Sequence, residues 1–182
     1  KLLKFLGGNM NKTFQVFIAL LISALLSSSV YAKKHPVTGE ELAADQTFTY
    51  WHGDEHSSQD PQIVEDTYGA NIVRDLFEGL LNQDADGNLI PGVAESWSAN
   101  DAKDVYTFNL RKNAKWSNGD SVTAHDFVYA WQRAVDPATA SPYSWFMDIM
   151  SIKNGGAAIS GDVLPSELGV KALDDYTFQV EL

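Results

Sequence analysis

Residues Tyr106 to Arg133, YTFNLRKNAKWSNGDSVTAHDFVYAWQR, carry the clearest structural signal of the chain. Tyr106, Phe108 and Leu110 alternate with polar residues, and this period of two predicts a half-buried β-strand. A turn-forming stretch follows. Thr123, with an aspartate three positions later, then forms a capping-box pattern that predicts the start of a helix. The segment therefore predicts a strand, a turn and an amphipathic helix in that order.

The predicted helix has one apolar face. Its apolar residues recur at helical spacing, at Phe127, Val128, Trp131, Ala134 and Val135. Pro137 is expected to end the helix, because proline lacks a backbone N–H and disfavours a helical conformation in the residue before it. We expect this face to be buried.

Other segments predict further strands and helices. Gln46 to Trp51 is rich in β-branched and aromatic residues and predicts the first strand. Residues 71–81 carry apolar side chains at the spacing of one helical face, and Tyr143 to Ile152 predicts another helix. Residues 170–182 predict two strands joined by a turn at Asp174-Asp175. Helices and strands that mix without a regular βαβ repeat indicate an α/β or α+β layering.

Residues 10–32, MNKTFQVFIALLISALLSSSVYA, have the pattern of a secretory signal peptide. Lys12 supplies the positive charge, residues 14–26 form the apolar run, and Val30-Tyr31-Ala32 fits a cleavage site after Ala32. The apolar run is shorter than the roughly 18 residues expected of a membrane-spanning helix. We therefore predict a cleaved signal and a periplasmic protein. Residues 1–9 precede the apparent start at Met10, and we interpret them as upstream sequence that is not native.

The composition restricts the class of partner. Removing residues 1–32 removes three lysines and no acidic residue, so the formal net charge falls from −11 to −14. Such a surface repels nucleic acid and anionic lipid, so neither is an expected partner. The chain has no cysteine, which excludes disulfides, thiol chemistry and a lipid anchor on a cleavage-site cysteine.

Local motifs give little support for metal binding or catalysis. The loop His52-Gly53-Asp54-Glu55-His56 is rich in potential ligands, but its spacing is not that of a helical HExxH zinc site. Residues 82–93 resemble a calcium loop, but Val93 stands where a bidentate glutamate is required. A surface hairpin explains these residues better. No GxSxG motif occurs. We predict no metal, no cofactor and no catalytic residue.

The segment from Tyr106 to Arg133 resembles the signature of the peptide-binding branch of the bacterial extracellular solute-binding proteins, family 5. Three further segments are similar to corresponding parts of that family, in the same order: DPQIVEDTYGANIVRDLFEGLL (60–81), PGVAESW (91–97) and GVKALDDYTFQVEL (169–182). The resemblance extends over nearly all of residues 46–182. It implies a two-lobed α/β fold of the periplasmic-binding-protein type II class with an extra inserted domain.

The resemblance also implies a domain division and a set of ligand contacts. Residues 33–77 would begin a discontinuous first lobe, and residues 78–182 would form most of the inserted second domain. Because the chain stops within a strand-like alternation, we interpret it as the N-terminal part of a longer protein. The expected ligand-binding residues are Glu65, Asp66 and Thr67, in an extended stretch that pairs with peptide backbone, and Tyr143. Trp51 and Trp145 are the tryptophans best placed to line a cleft.

The function that the resemblance implies is a monomeric periplasmic receptor that holds an extended oligopeptide and delivers it to the permease of an ABC transporter. Alternatives within the family are receptors for murein peptide, dipeptide, haem or nickel. Two alternatives from other classes are a secreted peptide hydrolase and a chaperone-like holder of unfolded chains.

Overall fold

The computed structural model describes residues 34–35 and 37–182. The predicted signal peptide and its cleavage site lie outside these residues. The chain divides into two compact units, one up to Trp51 and one from His52 to Leu182. In the described part of the first unit, Lys34 pairs with Glu41 in an isolated bridge, and the rings of Phe48 and Tyr50 stack with centroids 6.1 Å apart.

The strand predicted at Gln46 to Trp51 does not form in the structure. A strand requires a neighbouring strand to bond its backbone N–H and C=O groups. The described residues of the first unit hold no such strand, so the β-forming side chains of Phe48 and Trp51 are more than four-fifths exposed. The prediction of a strand here is wrong for this structure.

The second unit begins with helix α1 (Thr67–Leu76), followed by the short strands β1 (Leu81–Gln83) and β2 (Leu89–Pro91). These two strands form an antiparallel hairpin in which Asn82 faces Ile90. Asp84 closes the turn, since its carboxylate accepts the backbone N–H groups of Asp86 and Asn88. The sequence-based prediction of a surface hairpin at this position is confirmed.

Four longer strands form the main antiparallel sheet of this unit. In chain order they are β3 (Ala94–Ala99), β4 (Val105–Leu110), β5 (Val170–Asp174) and β6 (Thr177–Glu181), and their order in the sheet is β3-β4-β6-β5. The register places Phe108 opposite Phe178. The predicted strand at residues 106–110 and the predicted C-terminal pair of strands are confirmed, with the turn between β5 and β6 at Asp175 and Tyr176.

Helix α2 (Ala124–Val135) packs against β5 and β6. Its start is fixed by Asp126, whose carboxylate accepts the backbone N–H of Thr123 at 2.7 Å. It ends before Pro137, which begins a short 3-10 turn. The helix predicted after Thr123 is therefore confirmed at both ends, and its apolar face is turned towards the sheet as expected.

Phe178 lies at the centre of the core between α2 and the sheet and is fully buried. The ring centroids of Trp131, Phe127 and Phe108 lie 5.4, 5.8 and 6.2 Å from its own. Truncating a buried phenylalanine typically costs about 3–5 kcal/mol. This aromatic cluster is therefore a main source of stability for the unit, and it fixes the face of α2 that turns away from solvent.

Two short helices, α3 (Trp145–Ile149) and α4 (Gly155–Ile159), connect α2 to the last two strands. The sequence predicted one helix from Tyr143 to Ile152, which is longer than α3. The chain leaves helical geometry at Ser151 and Asn154, which have positive φ angles of 57° and 63°. Such angles break a right-handed helix, so the connection is divided into two short pieces.

Helix α1 differs from its prediction at both ends. The apolar pattern of residues 71–81 predicted a helix there, whereas the observed helix begins at Thr67 and ends at Leu76. The backbone carbonyls of Gly79 and Leu80 accept the N–H groups of Val93 and Ala94, so strand-like pairing replaces the last predicted turn. No helix among the described residues is long and apolar enough to cross a membrane.

Candidate functional site

A cleft of about 1040 Å³ opens on the surface of the unit formed by residues 52–182. Its walls come from the loop before α1, the end of α1, the loop after β4, helix α2 and the start of α3. The lining side chains include Gln62, Phe77, Trp116, Trp131, Tyr143 and Trp145. A concave surface with aromatic walls and few charged groups is typical of a ligand site.

Several aromatic side chains of the cleft remain accessible. The side chains of Tyr143, Trp145 and Phe146 are each about half exposed, and Trp116 is 39% exposed. The ring centroids of Tyr143 and Trp145 lie 5.8 Å apart. Large exposed aromatic groups that gather at one concave surface indicate a contact surface, since single soluble domains rarely leave such a patch uncovered.

Two of these aromatic residues, Trp116 and Tyr143, belong to tight backbone turns. Trp116 begins a turn in which its backbone N–H donates to Asp120 and its carbonyl accepts the N–H of Gly119, each at 2.9 Å. Gly119 has a φ of 94°, which favours glycine. Tyr143 precedes α3, and its carbonyl accepts the N–H of Phe146 at 3.0 Å. The backbone turns therefore place both residues at the edge of the cleft.

The sequence-predicted ligand residues are not all brought together. Tyr143 and Trp145 line the cleft. Glu65, Asp66 and Thr67 do not, although Gln62 and Leu76 on either side of them do. Trp51 belongs to the other unit. The cleft therefore contains one of the four predicted contact residues. The other three lie in the sequence between Gln62 and Leu76, which both line the cleft.

The stretch at Glu65 to Thr67 is only partly extended. Asp66 has extended backbone angles, but Thr67 is the first residue of α1, so the expectation of an extended Thr67 is wrong. The reason is that Asp66 caps the helix and makes the chain turn helical directly after it. Glu65 is exposed, and neither its backbone nor its side chain is hydrogen-bonded to any described residue.

The carboxylate of Asp66 is engaged within the protein. It accepts the hydroxyl and the backbone N–H of Ser57 on one oxygen and the N–H of Gly69, at 2.7 Å, on the other. These hydrogen bonds, with that from the Ser57 hydroxyl the strongest cause, hold the pKa of Asp66 well below its usual value. The side chain of Asp66 therefore stabilises the loop before α1 and the first turn of the helix.

Arg133 is a residue of this region that the sequence did not single out. Its guanidinium donates to both carboxylate oxygens of Asp60, at 2.8 and 2.7 Å, and also to the side chain of Gln62. The hydrogen bond from Arg133 is the main reason why the pKa of Asp60 is lowered. Arg133 and Asp60 are 73 residues apart in the chain, and no local sequence pattern predicts a pairing over that distance.

Metal ligands are not assembled in the part of the chain that the structure describes. Within residues 34–35 and 37–182, no group of three or more His, Cys, Asp or Glu side chains is placed to hold an ion. In the loop that invited a metal interpretation, the rings of His52 and His56 lie edge to face with centroids 6.5 Å apart. The ring of His52 also meets that of Tyr68 at 5.8 Å. Both histidines of this loop therefore take part in aromatic contacts.

Comparison with known proteins assigns the chain to a family. The family model described as "Bacterial extracellular solute-binding proteins, family 5 Middle" matches residues 88–182, and the chain belongs to this family. The periplasmic oligopeptide-binding protein OppA of Salmonella typhimurium is 48% identical over 162 residues, which are 89% of this chain and 30% of that protein. The periplasmic murein peptide-binding protein MppA of Escherichia coli is 45% identical over 164 residues, which are 90% of this chain and 30% of that protein.

The fold is also that of solved members. The crystal structure of Haemophilus influenzae OppA in complex with the peptide RPPGFSPFR matches 71% of this chain and 25% of that one, with a TM-score of 0.70 and 50% identity. The predicted mixed helix-and-sheet fold of a family 5 binding protein is thereby confirmed. The chain spans less than a third of the length of the curated relatives reported above.

Proposed function

We propose that this chain is the N-terminal part of a periplasmic receptor that captures oligopeptides in an extended conformation and delivers them to the permease of an ABC transporter. The observation that carries the proposal is the 48% identity to an oligopeptide-binding protein over 89% of the chain. An identity at this level over nearly the whole chain makes a shared ligand class the simplest explanation. The aromatic cleft with Tyr143 in its wall agrees with this proposal.

We keep the four predicted residues as proposed ligand contacts, with a different role for each. Glu65 is the best candidate for pairing with peptide backbone, because it is exposed and no described residue occupies its hydrogen-bonding groups. Asp66 and Thr67 would act chiefly through their backbone and through the position of Glu65. Tyr143 would supply an aromatic face and a phenolic hydroxyl, both of which suit an extended peptide.

A receptor for murein peptide is the second candidate, because a murein peptide-binding relative is 45% identical over 90% of the chain. The dipeptide alternative has weaker support, from a dipeptide-binding relative of Lactococcus lactis that is 41% identical over 69% of the chain. The relatives are binding proteins, and we propose that this protein likewise lacks catalytic activity. We further propose that it acts as a monomer after cleavage of residues 10–32 behind Ala32. The relatives are periplasmic, as their names state.

The ligand can be identified directly from the full-length protein. Purification from periplasm without denaturation, followed by mass spectrometry of the released small molecules, should yield a mixture of intact peptides of a few residues. A single murein peptide would select the second candidate. Recovery of no peptide, or conversion of added peptide to amino acids by the pure protein, would contradict a general oligopeptide receptor.

A further inference from the structure

We propose that Arg133 is a positioning residue for peptide binding, because it fixes the segment that presents Glu65. This inference rests on the proposed function, since it assumes that Glu65 faces the peptide. It assigns to α2, a helix of the proposed inserted domain, the task of holding a binding segment that precedes this domain in the chain.

The contacts of Arg133 fix the position and orientation of Asp60 and Gln62. Two parallel hydrogen bonds join its guanidinium to the carboxylate of Asp60, and a third reaches the side chain of Gln62. A planar guanidinium that binds a carboxylate through two bonds fixes both the distance and the angle of its partner, which a lysine cannot do. The backbone of residues 60–62 is therefore held at a defined place beside α2.

This ion pair is better shielded than the others in the described part of the chain. The side chains of Arg133 and Asp60 are 26% and 32% exposed. The pair of Lys153 and Glu181 is 51% and 45% exposed. Exposed pairs contribute little because water screens them and because two flexible side chains must be ordered. The Arg133 pair is thus the one with the best geometry for holding two parts of the fold together.

The segment from Asp60 to Gly69 is stiff enough to transmit this restraint. The backbone carbonyl of Asp60 accepts the N–H groups of Ile63 and Val64 at 3.0 and 2.9 Å, which closes a turn. Asp66 then binds back to Ser57 and forward to Gly69. A Cβ added at Gly69 would lie 2.3 Å from the side chain of Val64, so the loop packs directly on the first turn of α1. A shift at Asp60 would therefore displace Glu65.

Glu65 lies between two attachments to the rest of its unit. On its C-terminal side, the carbonyls of Gly79 and Leu80 accept backbone N–H groups from residues 92–94. On its N-terminal side, Arg133 holds Asp60 and Gln62. If the hydrogen bonds from Arg133 are lost, the chain stays paired at Gly79 and Leu80. The backbone between Asp60 and Glu65 then becomes more mobile. Binding would then have to order this segment, at a cost in affinity.

The test uses the full-length, ligand-free protein and three variants: Arg133→Gln, Arg133→Lys and, as the matched control, Lys153→Gln. Lys153→Gln also breaks one ion pair of the same domain, but this pair does not involve the segment before α1. Affinity for trialanine is measured by calorimetry well below the melting temperature. Hydrogen exchange of the amides between residues 57 and 69 is measured in the absence of peptide.

We expect Arg133→Gln to weaken binding of trialanine by about tenfold and to accelerate exchange in residues 57–69, with Arg133→Lys intermediate and Lys153→Gln unchanged in both respects. An affinity of Arg133→Gln within twofold of wild type would overturn the proposal. So would an equal loss in Lys153→Gln, since that would indicate a general effect of stability. If the wild-type protein binds no peptide at all, the proposed function fails instead, and the exchange data still decide whether Arg133 holds the segment.

Discussion

Tyr143 is the predicted ligand residue that the structure places in the wall of the cleft, and its side chain is 51% exposed. Its ring lies beside that of Trp145, and its backbone belongs to the turn that precedes α3. A rigid aromatic ring with a polar tip gains binding energy at a small cost in conformational entropy, which is why tyrosine is enriched among the residues that dominate interfaces. We therefore expect Tyr143 to make a direct aromatic contact with a bound peptide.

We predict that Tyr143→Ala weakens peptide binding by the full-length protein by about tenfold, equivalent to about 1.4 kcal/mol. Tyr143→Phe should show a smaller loss, because it keeps the ring and removes the hydroxyl. Tyr129→Phe is the control, since Tyr129 is a tyrosine of α2 that is 67% exposed and does not line the cleft. Calorimetric titration with trialanine measures all three. If Tyr143→Ala binds as well as wild type, Tyr143 is not a ligand contact.

At the scale of single elements, α1 depends on one charged cap. The carboxylate of Asp66 binds the loop before the helix and the first turn of the helix at the same time. These hydrogen bonds favour the ionised form, which is why the pKa of Asp66 is depressed in the folded state. A group with a depressed pKa stabilises the fold at pH values above its unfolded pKa, and this contribution is lost as the pH falls towards the folded pKa.

We therefore predict a pH-dependent effect of Asp66→Asn. The variant should melt at a lower temperature than wild type near pH 7, and the difference should shrink as the pH is lowered below about 4, the unfolded pKa of an aspartate. Asparagine keeps one oxygen that can accept the N–H of Gly69 and so remains a good cap, but it loses the charge and the second acceptor oxygen, which binds Ser57. Asp75→Asn, on the exposed side of the same helix, is the control. A difference that is constant or grows towards low pH would contradict this account of the cap.

The same elements show what sequence patterns predict well. Helix α2 and strand β4 were predicted from local signals: the cap at Thr123, the stop at Pro137 and the alternation that ends at Leu110. Each signal acts within a few residues and needs no distant partner. The hairpin closed by Asp84 was predictable for the same reason.

Features that depend on distant partners were not predictable from the sequence. The strand at Gln46 to Trp51 had the right residue types, but strands exist only with a neighbour. The pairing of Arg133 with Asp60 joins residues 73 positions apart, and a basic residue in the last turn of a helix is ordinary on its own. Asp66 was interpreted as a ligand residue because of its place in a family segment, whereas its immediate role is that of a helix cap.

At the scale of the whole molecule, the chain corresponds to less than a third of its curated relatives. The described part provides a stable antiparallel sheet, a helix that covers one face of it, and a cleft with exposed aromatic walls. The acidic composition gives no basis for nucleic-acid binding. We propose above all that the full-length protein binds short peptides of varied sequence.

Calorimetric titration of the full-length mature protein, freed of bound ligand by unfolding and refolding, would decide whether this proposal holds. The panel contains trialanine, trilysine, a pentapeptide of mixed sequence, a murein tripeptide and nickel. We predict tight binding of trialanine, trilysine and the pentapeptide, with similar affinities despite their different side chains. No response to any of these peptides, together with binding of the murein tripeptide or of nickel alone, would contradict the proposal.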